Sequence, residues 1–172
     1  MWHRLFVPKQ SVGANLVYFD LFNAVGSDCS IQVVSVRPVV STAEAVSITV
    51  GVDLHLTRTT AVGTGGTAAT YNGTALDAAT FSSIGGPSST LHPNITARLT
   101  PSGGATAGAA LSWGCVIGEE TYAGAGMPPH DLVYVPDVPG IMVPKGTGIR
   151  VVQGSVAAAG KVGFNVVLKT FV

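Results

Sequence analysis

From Val46 to Leu56 every even position is apolar: Val46, Ile48, Val50, Val52, Leu54 and Leu56. The odd positions between them are Ser47, Thr49, Gly51, Asp53 and His55. Successive side chains of a strand point to opposite faces, so this spacing predicts a half-buried strand with one dry and one wet face. A helix would scatter the same apolar residues around its circumference. The C-terminal stretch repeats the pattern, with Val162, Phe164, Val166 and Leu168 alternating against Gly163, Asn165, Val167 and Lys169. Burying each such apolar side chain contributes roughly 1.5–3 kcal/mol. A slip of one residue would turn either set into solvent, so register should be firmly fixed.

Shorter or less regular apolar runs predict further strands. Asn15 to Asn23 carries Leu16, Val17, Tyr18, Phe19, Leu21 and Phe22, which suits a strand covered on both faces. Ser30 to Val40 is rich in Val, and Pro38 near its end marks an edge or a bulge. Ile95 to Leu99, Leu111 to Ile117, Leu132 to Val135, Ile141 to Val143 and Ile149 to Val152 complete the set. Between them stand Gly13, Gly26, Gly63-Thr64-Gly65-Gly66, Pro101-Ser102-Gly103-Gly104, Pro128-Pro129 and Lys145-Gly146-Thr147-Gly148. Eight or nine strands punctuated by Gly and Pro turns, with no helical period, predict an all-β, antiparallel, jelly-roll-like sandwich. It would be a single domain over 1–172, with an extended segment at its N-terminus. One stretch stands apart: Thr59 to His92 is a long Thr-, Ser-, Ala- and Gly-rich loop whose single charge is Asp77. Its Tyr71, Leu76, Phe81, Ile84 and Leu91 suit a loop that drapes over a neighbouring subunit.

Composition sharpens this picture. Only 10% of the residues are charged and the mean hydropathy is +0.45, against roughly a quarter charged in ordinary soluble domains. Few ionic side chains are left to coat an isolated monomer, which points to a life inside an assembly. Nine Lys and Arg balance nine Asp and Glu. With the basic residues also scattered singly along the chain, neither nucleic acid nor an anionic membrane is an expected partner. The uncharged stretch from Leu99 to Gly118 is broken by Pro101, Gly103, Gly104, Gly108 and Gly114, a poor membrane helix. The opening Met-Trp-His-Arg-Leu-Phe-Val-Pro has no secretory signal core, which also counts against an outer-membrane barrel.

Candidate chemistry is sparse. His3, His55, His92 and His130 stand alone in sequence; Asp53 and His55 share a strand face, as polar residues of any amphipathic strand do. There is no Gly-x-Ser-x-Gly elbow, and Cys29 and Cys115 make no disulfide framework. Cys115 shares a strand face with Leu111, Trp113 and Ile117 and reads as core. Glu119 and Glu120 would point to opposite faces of a strand. The Gly-rich runs at 63–66 and 146–148 lack the Lys and the following helix of a phosphate loop, and read as tight turns needing positive φ. The Asn72 and Asn94 glycosylation sequons read as chance matches in a Thr-rich chain. No catalytic residue, cofactor or metal ligand is therefore expected, and the chain does not read as an enzyme.

Several blocks together resemble small structural proteins of tailed bacteriophages. They are Ser11-Val12-Gly13-Ala14-Asn15-Leu16 running into Phe19-Asp20-Leu21-Phe22-Asn23, then Arg58-Thr59-Thr60-Ala61-Val62-Gly63-Thr64-Gly65-Gly66-Thr67. Near the end come Pro144-Lys145-Gly146-Thr147-Gly148-Ile149-Arg150-Val151-Val152-Gln153-Gly154 and Ala157-Ala158-Ala159-Gly160-Lys161-Val162-Gly163-Phe164. The resemblance implies a virion component, a jelly-roll decoration (cement) protein on the capsid surface. Such a protein would be a homotrimer bound to the major capsid protein or other virion proteins. The expected partner contacts are Trp2, His3, Arg4, Leu5 and Phe6 of the N-terminal segment and Tyr71, Leu76 and Phe81 of the long loop. Leu5 and Phe6 equally suit the domain's own core. The alternative is a head-fibre or tail-associated module that reads a host glycan through the long loop, with Tyr71 and Asp77 as its candidates.

Overall fold

The computed structural model describes residues 1–39, 52–72, 81–84, 91–103, 107–116, 140–155 and 161–171. Within them there are strands and turns and no helix. The strands are β1 (Trp2–Ser11), β2 (Val17–Asn23), β3 (Ser30–Val39), β4 (Val52–Thr59), β5 (Thr67–Ala68) and β6 (Tyr71–Asn72). They continue with β7 (Phe81–Ser83), β8 (Ile95–Leu99), β9 (Ala107–Val116), β10 (Ile141–Val143), β11 (Thr147–Gln153) and β12 (Lys161–Phe171). One sheet runs β10-β3-β12-β1-β7-β6, and the other β5-β8-β2-β11-β4-β9. Pairing is antiparallel throughout except between the short β6 and β7. The eight strands of five or more residues build a jelly-roll-like sandwich, as the alternation anticipates.

The two regular patterns fold as expected. On β12, Val162, Phe164, Val166 and Leu168 are all buried, and on β4 so are Leu54 and Leu56, while Asp53 is exposed. Val46 to Gly51, the first half of that predicted strand, lies outside the described residues, as does Leu132 to Val135. β2 is covered on both faces. β3 pairs with β12 along its length, whereas β10 covers it only from Ile31 to Val33. Pro38 therefore sits where no described strand needs an N–H on the far side. The sheets meet across an aromatic centre, with Tyr18 edge-on to Phe164 at 5.1 Å and Phe19 at 5.9 Å from the same ring.

Two stretches differ from the sequence expectation. The N-terminal segment does not extend away from the domain: it is β1, held between β12 and β7 inside its sheet. The stretch from Thr59 to His92 is not loop throughout, because it contributes β5, β6 and β7 to the two sheets. Its Leu76 and Asp77 lie outside the described residues.

The Gly-rich turn at 63–66 is docked from both sides. Gly65 and Gly66 have φ of +68° and +62°, and a Cβ on Gly66 would run into the carbonyl oxygens of Leu99 and Thr100. Beneath it, Asp20 of β2 is buried and accepts the Gly63 N–H at 2.8 Å. Arg98 of β8, opposite Asp20 in the sheet, donates its Nε–H to the Gly65 carbonyl at 2.8 Å. This arrangement seats the turn on the protein's own sheet, which explains the glycines without a phosphate.

Candidate partner-contact surface

β1 alternates, and its alternation divides the expected contact residues. His3, Leu5 and Val7 are buried between the sheets; Trp2 and Phe6 are exposed on the outer face, 43% and 38% respectively, with half-buried Arg4 between them. Leu5 is therefore core. His3 is core as well, because its neighbours satisfy it. Its Nδ1 lies 3.1 Å from the Tyr71 hydroxyl and its Nε2 3.0 Å from Thr170 Oγ1. Burial, reinforced by the nearby N-terminal ammonium, pushes its pKa down to about 4, so the ring is neutral at physiological pH.

The loop candidates follow the same logic. Phe81 is buried and stands edge-on to Tyr71 at 5.4 Å and to His3 at 6.2 Å. This ring cluster fastens β6 and β7 to β1, so Phe81 faces the protein itself and not a partner. Tyr71 is half-buried in the cluster, with its ring and hydroxyl engaged by Phe81 and His3. Of the eight expected contacts, Trp2, Arg4 and Phe6 share an outer surface; His3, Leu5, Tyr71 and Phe81 gather inward, and Leu76 is not among the described residues.

The outer surface has members that the sequence reading did not select. In the ladder between β1 and β12, Trp2 faces Lys169, Arg4 faces Val167 and Phe6 faces Asn165. Phe171, 37% exposed, follows on the same face of β12. The Lys169 ammonium lies 4.6 Å from the centre of the Phe171 ring and 5.6 Å from that of Trp2. At those distances the cation is attracted to the ring faces, so Lys169 ties the two aromatics into one patch. The signal that would have found it is the wet half of the C-terminal alternation, which sequence reading used only to locate the dry half.

Other candidate chemistry is self-contained. His55 Nε2 and Asp53 Oδ2 are 2.7 Å apart on the exposed face of β4, and among the described residues no third His, Cys, Asp or Glu joins any such pair in a metal-binding group. Cys29 is a free, buried thiol whose Sγ lies 3.1 Å from Ser27 Oγ. It lines a cavity of about 610 Å³ with His92, whose Nδ1 accepts the Asn94 N–H. The side chain of Cys115, and Glu119 and Glu120 altogether, lie outside the described residues. No protein-family model, curated protein or solved structure matches the chain.

Proposed function

We propose that this chain is a non-enzymatic structural protein of a bacteriophage virion: a capsid decoration protein, trimeric, seated on the major capsid protein. The observation that carries this reading is the row of exposed aromatics, Trp2, Phe6 and Phe171, on the outer face of a sheet whose inner face gives Leu5, Val7, Phe164, Val166 and Leu168 to the buried core. Aromatic residues are enriched where proteins meet other proteins. The phage-like sequence blocks give the kind of assembly. The glycan-reading alternative loses support, because its candidate Tyr71 is engaged inside the ring cluster.

The test is co-assembly. Full-length chain mixed with capsids that lack it, from the phage whose genome encodes it, should sediment with them in many copies per particle. Trp2→Ala with Phe6→Ala should remain in the supernatant while keeping the native β-sheet circular dichroism. Wild-type protein that stays in the supernatant would contradict the reading. Deleting Met1–Pro8 is a poor test, because it removes most of a strand from the middle of a sheet.

A further inference from the structure

Asp20 is an acid sealed under a turn that has little else to hold it down. Phe19 and Leu21 on either side of it join the core, so alternation puts Asp20 on the outer face of β2, where the Gly63–Gly66 turn closes over it. Its Oδ2 accepts the Gly63 N–H, while Oδ1 is buried with no hydrogen-bond partner in the protein. The turn is pressed close: a Cβ on Gly63 would come within 2.8 Å of Asp20 Oδ2 and of Pro101. Among the described residues, the charged groups facing Asp20 are Arg98 of β8 and Arg150 of β11, its ladder partners on either side. The covering stretches 60–66 and 100–103 carry no titratable side chain. Besides Asp20, polar contacts hold the turn: the Thr64 N–H donates to the Gly103 carbonyl at 2.7 Å, the Ser102 N–H to that of Thr64 at 2.9 Å, and Arg98 Nε–H to that of Gly65. Gly63, Thr64, Gly65 and Gly66 bring no large apolar side chain to the contact. Segments with few buried apolar contacts open at lower cost than the sheets they lie on.

We propose that the Gly63–Gly66 turn is a flap that opens when Asp20 ionises and closes when Asp20 is protonated. Closed over the ionised acid, it keeps a carboxylate from water with one oxygen unmatched, which is costly. Protonated at Oδ1, the same group still accepts the Gly63 N–H at Oδ2 and has no charge to hydrate. Burial accordingly raises the Asp20 pKa from 3.8 to about 6, against the pull of the Gly63 N–H, Arg150 and Arg98. Opening lets water reach the carboxylate and returns it toward its ordinary range, so rising pH favours the open turn. With those two values the opening equilibrium grows on the order of fiftyfold between about pH 4 and pH 8. Opening also breaks the Thr64–Gly103 bridge and uncovers the row Arg98, Asp20 and Arg150. Ser102, Gly103 and Arg150 line a cavity of about 400 Å³ with residues 13–17, so the flap controls one wall of it. The device sits on the opposite sheet from Trp2, Phe6 and Phe171 and is independent of the docking proposal.

Backbone amide hydrogen exchange of the full-length protein, corrected for the intrinsic rate at each pH, tests the flap. The Gly63, Thr64 and Ser102 amides should lose protection by on the order of fiftyfold between about pH 4 and pH 8, and the amides of the β1–β12 ladder should not follow. Asp20→Asn keeps an oxygen for the Gly63 N–H and carries no charge, so its turn protection should stay constant over that range. A second measurement needs no variant: the carboxyl carbon resonance of Asp20 in the wild-type protein should titrate near pH 6. Turn protection that does not change with pH would overturn the flap, and so would an equal loss across the β1–β12 ladder. The same loss in Asp20→Asn, or a carboxyl midpoint at the ordinary 3.8, would overturn it as well.

Discussion

Among the described residues, His3 and Asp20 are buried groups whose ionisation in the acid range the fold opposes, and they act on stability with opposite signs. His3, with its pKa lowered from 6.5 to about 4, stays neutral when the unfolded chain is already protonated. Its contribution is present above pH 6.5 and is lost as pH falls toward 4, on the order of 3 kcal/mol in total. Asp20 is raised from 3.8 to about 6, chiefly by burial, against the opposing pull of the Gly63 N–H, Arg150 and Arg98. Its ionisation costs stability above pH 6, and that cost, again on the order of 3 kcal/mol, is relieved as pH falls toward 4. Between pH 6 and 4 the two effects oppose each other. Relative to wild type, His3→Gln should therefore gain stability on acidification and Asp20→Asn should lose it. Urea denaturation midpoints across that range check both signs; parallel profiles for all three proteins would count against this pairing.

Gly66 belongs to the same scale. Its positive φ and its contact with the Leu99 and Thr100 carbonyls leave no room for a Cβ. Gly66→Ala should cost about 2 kcal/mol or more. A thermal midpoint equal to wild type would show that the turn is free to move off the sheet.

At the scale of elements, legibility in the sequence followed the length and regularity of alternation. β4 from Val52 to Leu56 and β12 from Val162 to Leu168 place an apolar residue at every second position, and both were readable. β1 was not, because Trp2, Phe6 and Pro8 put bulky apolar groups on its wet face while His3 stands on its dry face. The bulge after Val7 then breaks its period. β5, β6 and β7 are two or three residues long, too short to show any period, and exist through the pairing of β5 with β8, of β7 with β1 and of β6 with β7. The contact candidates divided for a related reason. Composition identified Leu5, Phe6 and Phe81 as apolar, but only register decides which of them is inside. Substitutions along β1 should reflect this: Leu5→Ala should cost about 2–5 kcal/mol of stability. Phe6→Ala should change stability far less and weaken capsid binding. Comparable destabilisation by both would contradict the two-faced reading of β1.

For the whole molecule, the order of strands in a sheet brings together residues that the sequence separates. Arg4, Arg37, Lys161 and Lys169 are scattered in sequence, and only the adjacency of β3, β12 and β1 in one sheet brings them together. No linear motif encodes that adjacency, so the row of outer-face aromatics could not be read from spacing. The all-β class and the glycine turns could be, because they are set by local geometry.

The outer face of β1 and β12 is proposed to dock this protein onto a larger particle. High-resolution imaging of capsids incubated with the chain decides it. Ordered density is expected on the capsid exterior, with Trp2, Phe6 and Phe171 turned toward the capsid protein. Density that presents this face to solvent, or capsids that carry no such density, would contradict it.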